Sequence, residues 1–539
     1  MINMGKNFYN KEFYKVDNAI ILAAGMSLRF VPLSYERPKG LLVVKGERLI
    51  ERQIRQLKEA GIDDITVVVG YLKEQFFYLE EKFDVKIVVN EDYYRYNNTS
   101  SLMCVLDKLS NTYICSSDNY FTKNVFEQYV EKAYYSAVFS KGETKEYCLD
   151  FDGNGCITSV NIGGKNQWYM LGHVYLDKAF SKKFVEILKE EYKKETTKNE
   201  LWENVYMRHI EELPLYIKKY NDGIIYEFDS LKELQQFDKD CLKNINSDIL
   251  NIICNTFSCD ISDINDIKVL KSGMTNKSFE FFCNGNKYIM RVPGKGTDLL
   301  INRFYEAENY KAIGNMKISD KVKYINSSTG YKITEFIDGA RVCNPWSKND
   351  LFLCMSKLRN FHNKKIKVKH EFKLFEQINF YENLWNGNKS VYDDYEETKY
   401  KVFSLKKFID KNKNEYVLTH IDAVPDNFLL TDKDVYLIDW EYAGMQDPDL
   451  DIAMFCIYAG YDKTDIDDLI DIYFENNCDI NRRLKIYCYI ACSGLLWSNW
   501  CEYKHQLGVD FGEYARKQYN YAKNYSDIII NGIKLEDCL

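Results

Sequence analysis

Several features that would each dictate a fold or a partner are missing from this chain. There is no long hydrophobic run: the longest apolar stretch, Ile486–Trp497, falls well short of the roughly 20 residues that span a bilayer and reads as a buried helix. The cysteines number 16 but form no C-x-x-C pair and no His/Cys ligand spacing, which excludes a zinc framework and a disulfide scaffold and leaves reduced, buried thiols as the expectation. Basic excess is also absent. The net charge of −8 excludes a general nucleic-acid binder, although local basic pockets remain open. Residues 1–17 lack the apolar centre of a signal peptide, so the expected setting is cytoplasmic, with no membrane partner. Neither repeats nor low-complexity tracts occur, and the scarcity of proline beside abundant Tyr and Asn is a compositional bias without a functional reading.

What is present suits ordinary globular domains. At 539 residues with 46% apolar and 28% charged residues, the chain exceeds what one core supports, so two or three domains are expected. Between Asn18 and Ser117, β-rich apolar runs at Ala19–Leu22, Ile65–Val69, Val85–Val89 and Thr112–Ser116 alternate with helical patterns. A helix with Ile50, Ile54 and Leu57 on one face is closed by Gly61. Such β-α-β alternation predicts a parallel sheet covered by helices on both faces, with ligands at the carboxyl ends of its strands. From Ser136 to Phe237 the pattern loosens. The charged stretch Lys232–Asn246 places a boundary near Leu242 and divides the chain into domains at 18–241 and 242–530.

The first strand candidate ends in Leu22-Ala23-Ala24-Gly25, small residues suited to a backbone that approaches a nucleotide closely; a tight strand-to-helix turn would need them equally. Arg29 and Lys39 would neutralise a triphosphate, with Pro38 stiffening the approach to the lysine. Asp118 follows the strand Thr112–Ser116, where a carboxylate suits Mg²⁺, though a solvated strand-end acid is the plainer reading of that residue alone. Asn97 and Ser101 follow a strand and are candidates for reading the edge of a nucleotide base.

Taken together, Leu22-Ala-Ala-Gly25-x-x-x-Arg29-Phe30, Pro38-Lys39, Val69-Gly70-Tyr71 and Ser117-Asp118 resemble nucleotidyltransferases that make sugar nucleotides, and in particular bacterial CTP:phosphocholine cytidylyltransferases. The resemblance runs from about Asn18 to Asp238. It implies a Rossmann-like α/β fold, Lys39 and Arg29 as catalytic charge stabilisers, and Leu22–Gly25 and Gly70 at the nucleotide. It also implies Asp118 and Glu203 as metal ligands. Ser27 stands where the wider superfamily has glycine, and Glu203 where aspartate is expected. Tyr147 and Trp202 are candidate walls for a trimethylammonium group, which only aromatic faces recognise well; core packing is the other reading of both.

The second half carries a different set. Strands at Ile267–Leu270, Ser278–Cys283, Lys287–Val292 and Tyr331–Phe336, a helix at Leu299–Ala312 and helical patterns beyond Leu351 describe a small β-rich lobe before a larger helical one. His420-x-Asp422-x-x-x-x-Asn427 followed by Leu437-Ile-Asp439 has the spacing of a phosphoryl-transfer site: one carboxylate beside an attacking hydroxyl, and further oxygen ligands for Mg²⁺. His420 is expected to brace the loop. Upstream, the small-residue turn Gly273-Met-Thr275-Asn276 could cover ATP phosphates, and Arg291 ends a strand where a phosphate-binding cation belongs.

These segments, with Arg291-Val-Pro-Gly294 and Ile438-Asp-Trp-Glu-Tyr-Ala-Gly444, resemble choline kinases, especially the bacterial enzymes of surface-phosphocholine pathways, from about Ile261 to Asn524. The resemblance implies an α+β bilobal protein-kinase-like fold of the choline kinase and aminoglycoside phosphotransferase type. Asp422 would be the catalytic base and Asn427 and Asp439 the Mg²⁺ ligands. Arg291 would pair with Glu306, or with Glu308 instead, and Asp451 would support the catalytic loop. Glu441, Tyr442, Trp497 and Trp500 would form the choline pocket; the tryptophans, spaced i,i+3, read equally as a core stripe. The expected activity is therefore twofold, phosphorylation of choline by ATP and transfer of a cytidylyl group from CTP to phosphocholine. The alternatives are the same reactions on ethanolamine or another amino alcohol, a sugar nucleotidyltransferase joined to an aminoglycoside-type kinase, and a nucleotide sensor with one inactive half. Oligomeric state is not readable.

Overall fold

A computed structural model describes residues 13–239, 241, 246–270, 276–294, 297, 300–314 and 316–532. The chain divides into two compact units, one ending at Asn255 and the next beginning at Thr256, so the division falls within the helix Asp248–Phe257. Leu242, where the charge pattern places a boundary, lies outside the described residues.

The first unit is built on a nine-stranded sheet. Asn18–Ala23 pairs in parallel with both Ile65–Val69 and Thr112–Ser116, and Lys86–Val89 continues the parallel order beyond Ile65–Val69. Successive strand residues face opposite sides. Ile21 therefore joins Ile50, Ile54 and Leu57 of the helix Leu49–Glu59 on one face, while Ile20 joins Phe184, Trp202 and Tyr206 on the other. Each such fully buried aliphatic side chain contributes about 1.5–3 kcal/mol.

The sheet is not wholly parallel, as β-α-β alternation alone predicts. Trp168–Leu176 pairs antiparallel with Thr112–Ser116 and with Tyr134–Phe139, and Glu143–Phe151 with Ile157–Lys165 form a hairpin at the far edge. Only a short turn joins those two strands, and a parallel crossover needs about a dozen residues. Ile225–Glu227 pairs with Asn119–Phe121 just past the end of the central strand. That pairing shapes the site.

The second unit opens with a five-stranded antiparallel sheet whose order is Asn265–Val269, Asn276–Cys283, Asn286–Pro293, Lys332–Glu335, Val322–Ile325. Asn284-Gly285 turns the chain between the second and third strands with both φ values positive, at 49° and 75°, the geometry for which Asn-Gly is selected. The helix Arg303–Ile313 follows, its N-terminus held by the Asn302 side chain, which accepts from the Phe304 and Tyr305 amides. Beyond it lies a helical lobe with one large core that runs through Asp449–Ala459, Ile480–Gln506 and Glu513–Gly532. Ile486–Trp497 is the buried centre of Ile480–Gln506, and no helix among the described residues is long and apolar enough to cross a membrane. Two short antiparallel pairs, Val417–Thr419 with Gly444–Gln446 and, between them in sequence, Phe428–Leu430 with Val435–Leu437, hold the loops that carry Asp422 and Asp439.

Candidate active sites

In the first unit the loops at the carboxyl ends of the parallel strands enclose a cavity of about 640 Å³. Leu22, Ala23, Ala24, Gly25, Arg29, Lys39, Asn97, Ser101 and Asp118 all line it. Gly70 does not, but it makes room for a residue that does: a Cβ there would lie 2.6 Å from Tyr93. Gly40 acts similarly, since a Cβ would meet the Ser117 hydroxyl at 2.7 Å. The turn Lys39–Leu41 can therefore press against Ser117, which brings the buried Lys39 Nζ to Asp118 Oδ2 at 2.8 Å. Ser27 has φ 48° and ψ 53°, a left-handed conformation that glycine adopts freely and serine adopts under strain, which explains the glycine of the wider superfamily. Arg29 is largely exposed and pairs with Asp229 at 2.6 Å.

Asn97 caps the helix Asn98–Met103 by accepting from the Asn98 amide, and Asn90 donates to the hydroxyls of Ser100 and Ser101 at 2.8 and 3.0 Å. Glu203 is placed in another setting from Asp118. Its carboxylate accepts from the Tyr135 hydroxyl at 3.1 Å and from Asn98 Nδ2 at 3.5 Å, and burial raises its pKa. Around the same Tyr135 the structure gathers Trp202, stacked on it at 6.0 Å and almost wholly buried. Tyr147 reaches the helix Trp202–Arg208 too, donating to Asn204 Oδ1 at 3.1 Å.

The acid that shares the field of Asp118 and Lys39 is Glu227, which the sequence reading missed. Its Oε1 lies 4.0 Å from Lys39 Nζ, and repulsion from Asp118, with burial second, pushes its pKa up to about 7. The only local signal was the short alternating strand Ile225–Glu227 after the Asn221-Asp-Gly223 turn.

In the second unit Asp422, Asn427 and Asp439 come together. Asn427 Nδ2 donates to both the carboxylate and the carbonyl of Asp422, at 3.0 and 2.9 Å. Burial, then the charges of Asp439 and Glu441, raises the pKa of Asp422 well above the ordinary range. The loop is braced from below: Asp451 accepts from the His420 and Ile421 amides at 2.9 and 2.7 Å and contacts His362 Nε2 at 3.0 Å. These bonds hold Ile421 at φ 69°, a strained conformation for a β-branched residue. His420 Nε2 lies 3.0 Å from the Ile438 carbonyl and ties the loop to the segment bearing Asp439; burial lowers its pKa to about 4.

Arg291 forms a two-pronged pair with Glu306, one arm at 2.7 Å, while Glu308 faces His370 instead. Glu441 lies with these cations, 3.3 Å from Arg291 and 3.1 Å from Arg303, and accepts from Asn276 Nδ2 at 2.9 Å. Its neighbour Tyr442 turns to the aromatic group, edge-on to Trp497 at 5.8 Å, which is edge-on to Trp500 at 5.8 Å. Trp500 is core, packed against Phe511. Tyr381, Tyr458 and Tyr514 join this region, each with its pKa raised by burial first and by the charge of Asp422 among other causes. Gly273 and Thr275 lie outside the described residues.

Comparison with known proteins finds relatives of each unit. The family model described as MobA-like NTP transferase domain covers residues 19–164, and that described as Choline/ethanolamine kinase covers residues 267–488. The chain is similar to a Choline-phosphate cytidylyltransferase of Streptococcus pneumoniae, 36% identical over 228 residues that make up 42% of this chain and 99% of the relative. It is also similar to a 2-aminoethylphosphonate cytidylyltransferase of Lancefieldella rimae, 36% identical over 225 residues, 41% of this chain and 92% of the relative. Among solved structures it resembles the choline kinase LicA of Streptococcus pneumoniae, at 29% identity, 52% of this chain, 99% of that chain and a TM-score of 0.46. The chain belongs to the choline-phosphate cytidylyltransferases through its N-terminal unit and to the choline/ethanolamine kinases through its C-terminal unit, two transferases in one polypeptide.

Proposed function

We propose that the chain makes CDP-choline in two steps, phosphorylating choline with ATP in the second unit and joining the phosphocholine to CTP in the first. The observation that carries this reading is the presence, in each unit, of a complete and separate set of phosphate-handling side chains: Lys39, Arg29 and Asp118 in one, Asp422, Asn427 and Asp439 in the other. In the kinase step Asp422 accepts the choline hydroxyl proton as that oxygen attacks the γ-phosphorus and the bond to ADP breaks. Burial and two neighbouring carboxylates strengthen it as a base. The rings of Tyr442 and Trp497 would face the quaternary nitrogen.

In the cytidylyl step a phosphate oxygen of phosphocholine attacks the α-phosphorus of CTP and pyrophosphate leaves. Lys39, fixed by Gly40 against Ser117, and Arg29, released from Asp229, would balance the charge that builds on the phosphates. Asp118 with Glu227, and Asn427 with Asp439, are hard oxygen donors of the kind Mg²⁺ prefers. Asp439 Oδ1 is a buried acceptor with no hydrogen-bond partner among the described residues, and Glu227 is crowded by Asp118 with one lysine between them, so both sets fit a cation. Mg²⁺, when bound, supplies charge neutralisation on the phosphates. We place the enzyme in the cytoplasm, where both nucleotides are made.

A second reading keeps both reactions and changes the amine to one with N–H groups. The relative acting on 2-aminoethylphosphonate favours it, as do Glu146 and Asp229, acids that share a field with Arg29. Choline, ethanolamine and their phosphates, each offered with ATP or CTP and Mg²⁺, decide between the two. Turnover of choline in the first step and of phosphocholine in the second is expected; turnover of only the primary amines would replace the choline reading.

A further inference from the structure

Lys39, the buried cation of the first site, stands on the short turn Lys39–Leu41. A turn of that length cannot fix a lysine by itself, so the anchors on either side of it decide where the ammonium is held. On one side, Glu36 ends the one-turn helix Leu33–Glu36, three residues before Lys39. Its carbonyl accepts from Gln75 Nε2 at 2.8 Å, and its carboxylate Oε1 accepts from the Ile249 amide at 2.9 Å. On the other side, the Lys45 amide donates to Asp238 Oδ2 at 2.6 Å, and the Lys45 ammonium lies over the Phe237 ring at 5.2 Å. The two carboxylate anchors thus join the lysine turn to residues 213 and 193 positions along the chain.

The Glu36 contact is a helix cap supplied from a distance. The first backbone amides of a helix have no partner within it. At the start of the helix Asp248–Phe257, the Leu250 amide donates to the Ser247 hydroxyl at 3.1 Å and the Ile249 amide to Glu36. A carboxylate suits that end through the helix dipole as well as the hydrogen bond. Burial pushes the Glu36 pKa up, opposed by Ser247 and the Ile249 amide. The start of this helix is packed: Ser247, Ile249, Leu250 and Ile253 are buried, and Asn246 lines a narrow crevice with Leu33, Arg37 and Leu42. The helix lies outside both matched family stretches, 19–164 and 267–488. Its first turn nonetheless holds the segment that delivers Lys39.

We propose that Glu36 is a positioning residue for Lys39, and that the start of the helix Asp248–Phe257 is a structural part of the first active site rather than a tether alone. Glu36 fixes the near end of the lysine turn, Asp238 the far end and the approach of Gly40 to Ser117 the middle, so that Lys39 Nζ is held at Asp118. The proposal rests on the reading of Lys39 as the charge stabiliser of cytidylyl transfer but not on the identity of the amine.

The test uses the full chain with E36A, E36Q and K39A. It reads kcat and KM for pyrophosphate release from CTP with phosphocholine or phosphoethanolamine, ADP release by the second unit, and backbone amide exchange by mass spectrometry. E36A is expected to lower kcat about tenfold to a hundredfold, the scale of a displaced catalytic group, with the KM for the phosphorylated amine within about twofold. Amides of residues 33–42 and 248–251 should exchange faster while those of Ile65–Val69 stay slow, and ADP release should not change. E36Q keeps an oxygen for the Ile249 amide and should recover most of the loss. Because ADP release and the exchange of the central strand report on each variant's own folded state, a locally loosened chain is told from an unfolded one. Wild-type kcat in E36A, or exchange that quickens at Ile65–Val69 as much as at 33–42, overturns the proposal. If K39A is slow and E36A is not, this assignment alone falls; if K39A turns over normally, the reading of Lys39 falls and takes this assignment with it.

Discussion

The two sites use the same chemical groups and distribute buried cations among them differently. In the first unit a single buried cation, Lys39, faces both Asp118 and Glu227, and the excess of negative charge drives Glu227 up to about 7. In the second unit Arg291, Arg303 and Lys332 are packed among Glu306, Glu441 and Asp439. Burial pushes Glu306 upward, but Lys332 and Arg291 outweigh it and hold that carboxylate at about 2. Carboxylate identity therefore says little about charge state. The number of cations buried beside it decides. The first site is short of positive charge and open to solvent, whereas in the second the cations neutralise Glu306 but leave Asp422, pushed up by burial and by the charges of Asp439 and Glu441, uncompensated.

The sharpest way to break this comparison is to remove the base of one site and ask whether the other notices. Asp422→Ala should lower choline phosphorylation by about 10²–10⁴-fold and leave cytidylyl transfer from supplied phosphocholine unchanged in a coupled pyrophosphate assay; joint loss would show that the units do not work independently. Lys39→Ala should do the converse, lowering cytidylyl transfer by about 10²–10³-fold while ADP release with choline continues.

Within the first site, Glu227→Gln should slow cytidylyl transfer about 10–100-fold and raise the Mg²⁺ concentration needed for half activity. Glu203→Gln is expected to leave the Mg²⁺ requirement unmoved, because its carboxylate is engaged by Tyr135 and Asn98; the reverse ranking would make Glu203 the ligand. In the second, Trp497→Ala should raise the KM for choline by about 2–30-fold with that for ATP little changed. The smallest effect is expected at Ser27→Gly, which relieves a left-handed serine and should stabilise the first unit by less than about 1 kcal/mol in urea unfolding.

Much of this is legible in the sequence. The parallel strands announced themselves as short β-branched runs between helical patterns, and Ala19–Leu22, Ile65–Val69 and Thr112–Ser116 are found within or at the observed strands. Lys39 and Asp118 were legible because each sits at a fixed offset from a strand end. His420, Asp422, Asn427 and Asp439 were legible because one hairpin-framed loop carries three of them and its neighbour the fourth. Glu227 was not. It reaches Asp118 only because Ile225–Glu227 pairs with Asn119–Phe121, more than a hundred residues earlier in the chain. Glu306 and Glu308 were indistinguishable in one dimension, since two residues along a helix turn a side chain to another face. Only the packed helix Arg303–Ile313 sends the first to Arg291 and the second to His370.

Local order along the chain was enough to establish two transferase units, their fold classes and the residues that sit in contiguous loops, because backbone periodicity and turn chemistry act over a few residues. Tertiary structure alone chose which buried charge answers which. Glu441 turns to Arg303 while Tyr442 beside it turns to Trp497, and Lys332 lies opposite Arg291 on the neighbouring strand. The physical reason is that a buried charge is governed by every partner within a few ångströms, and strand pairing and helix packing bring those partners from distant stretches of the chain.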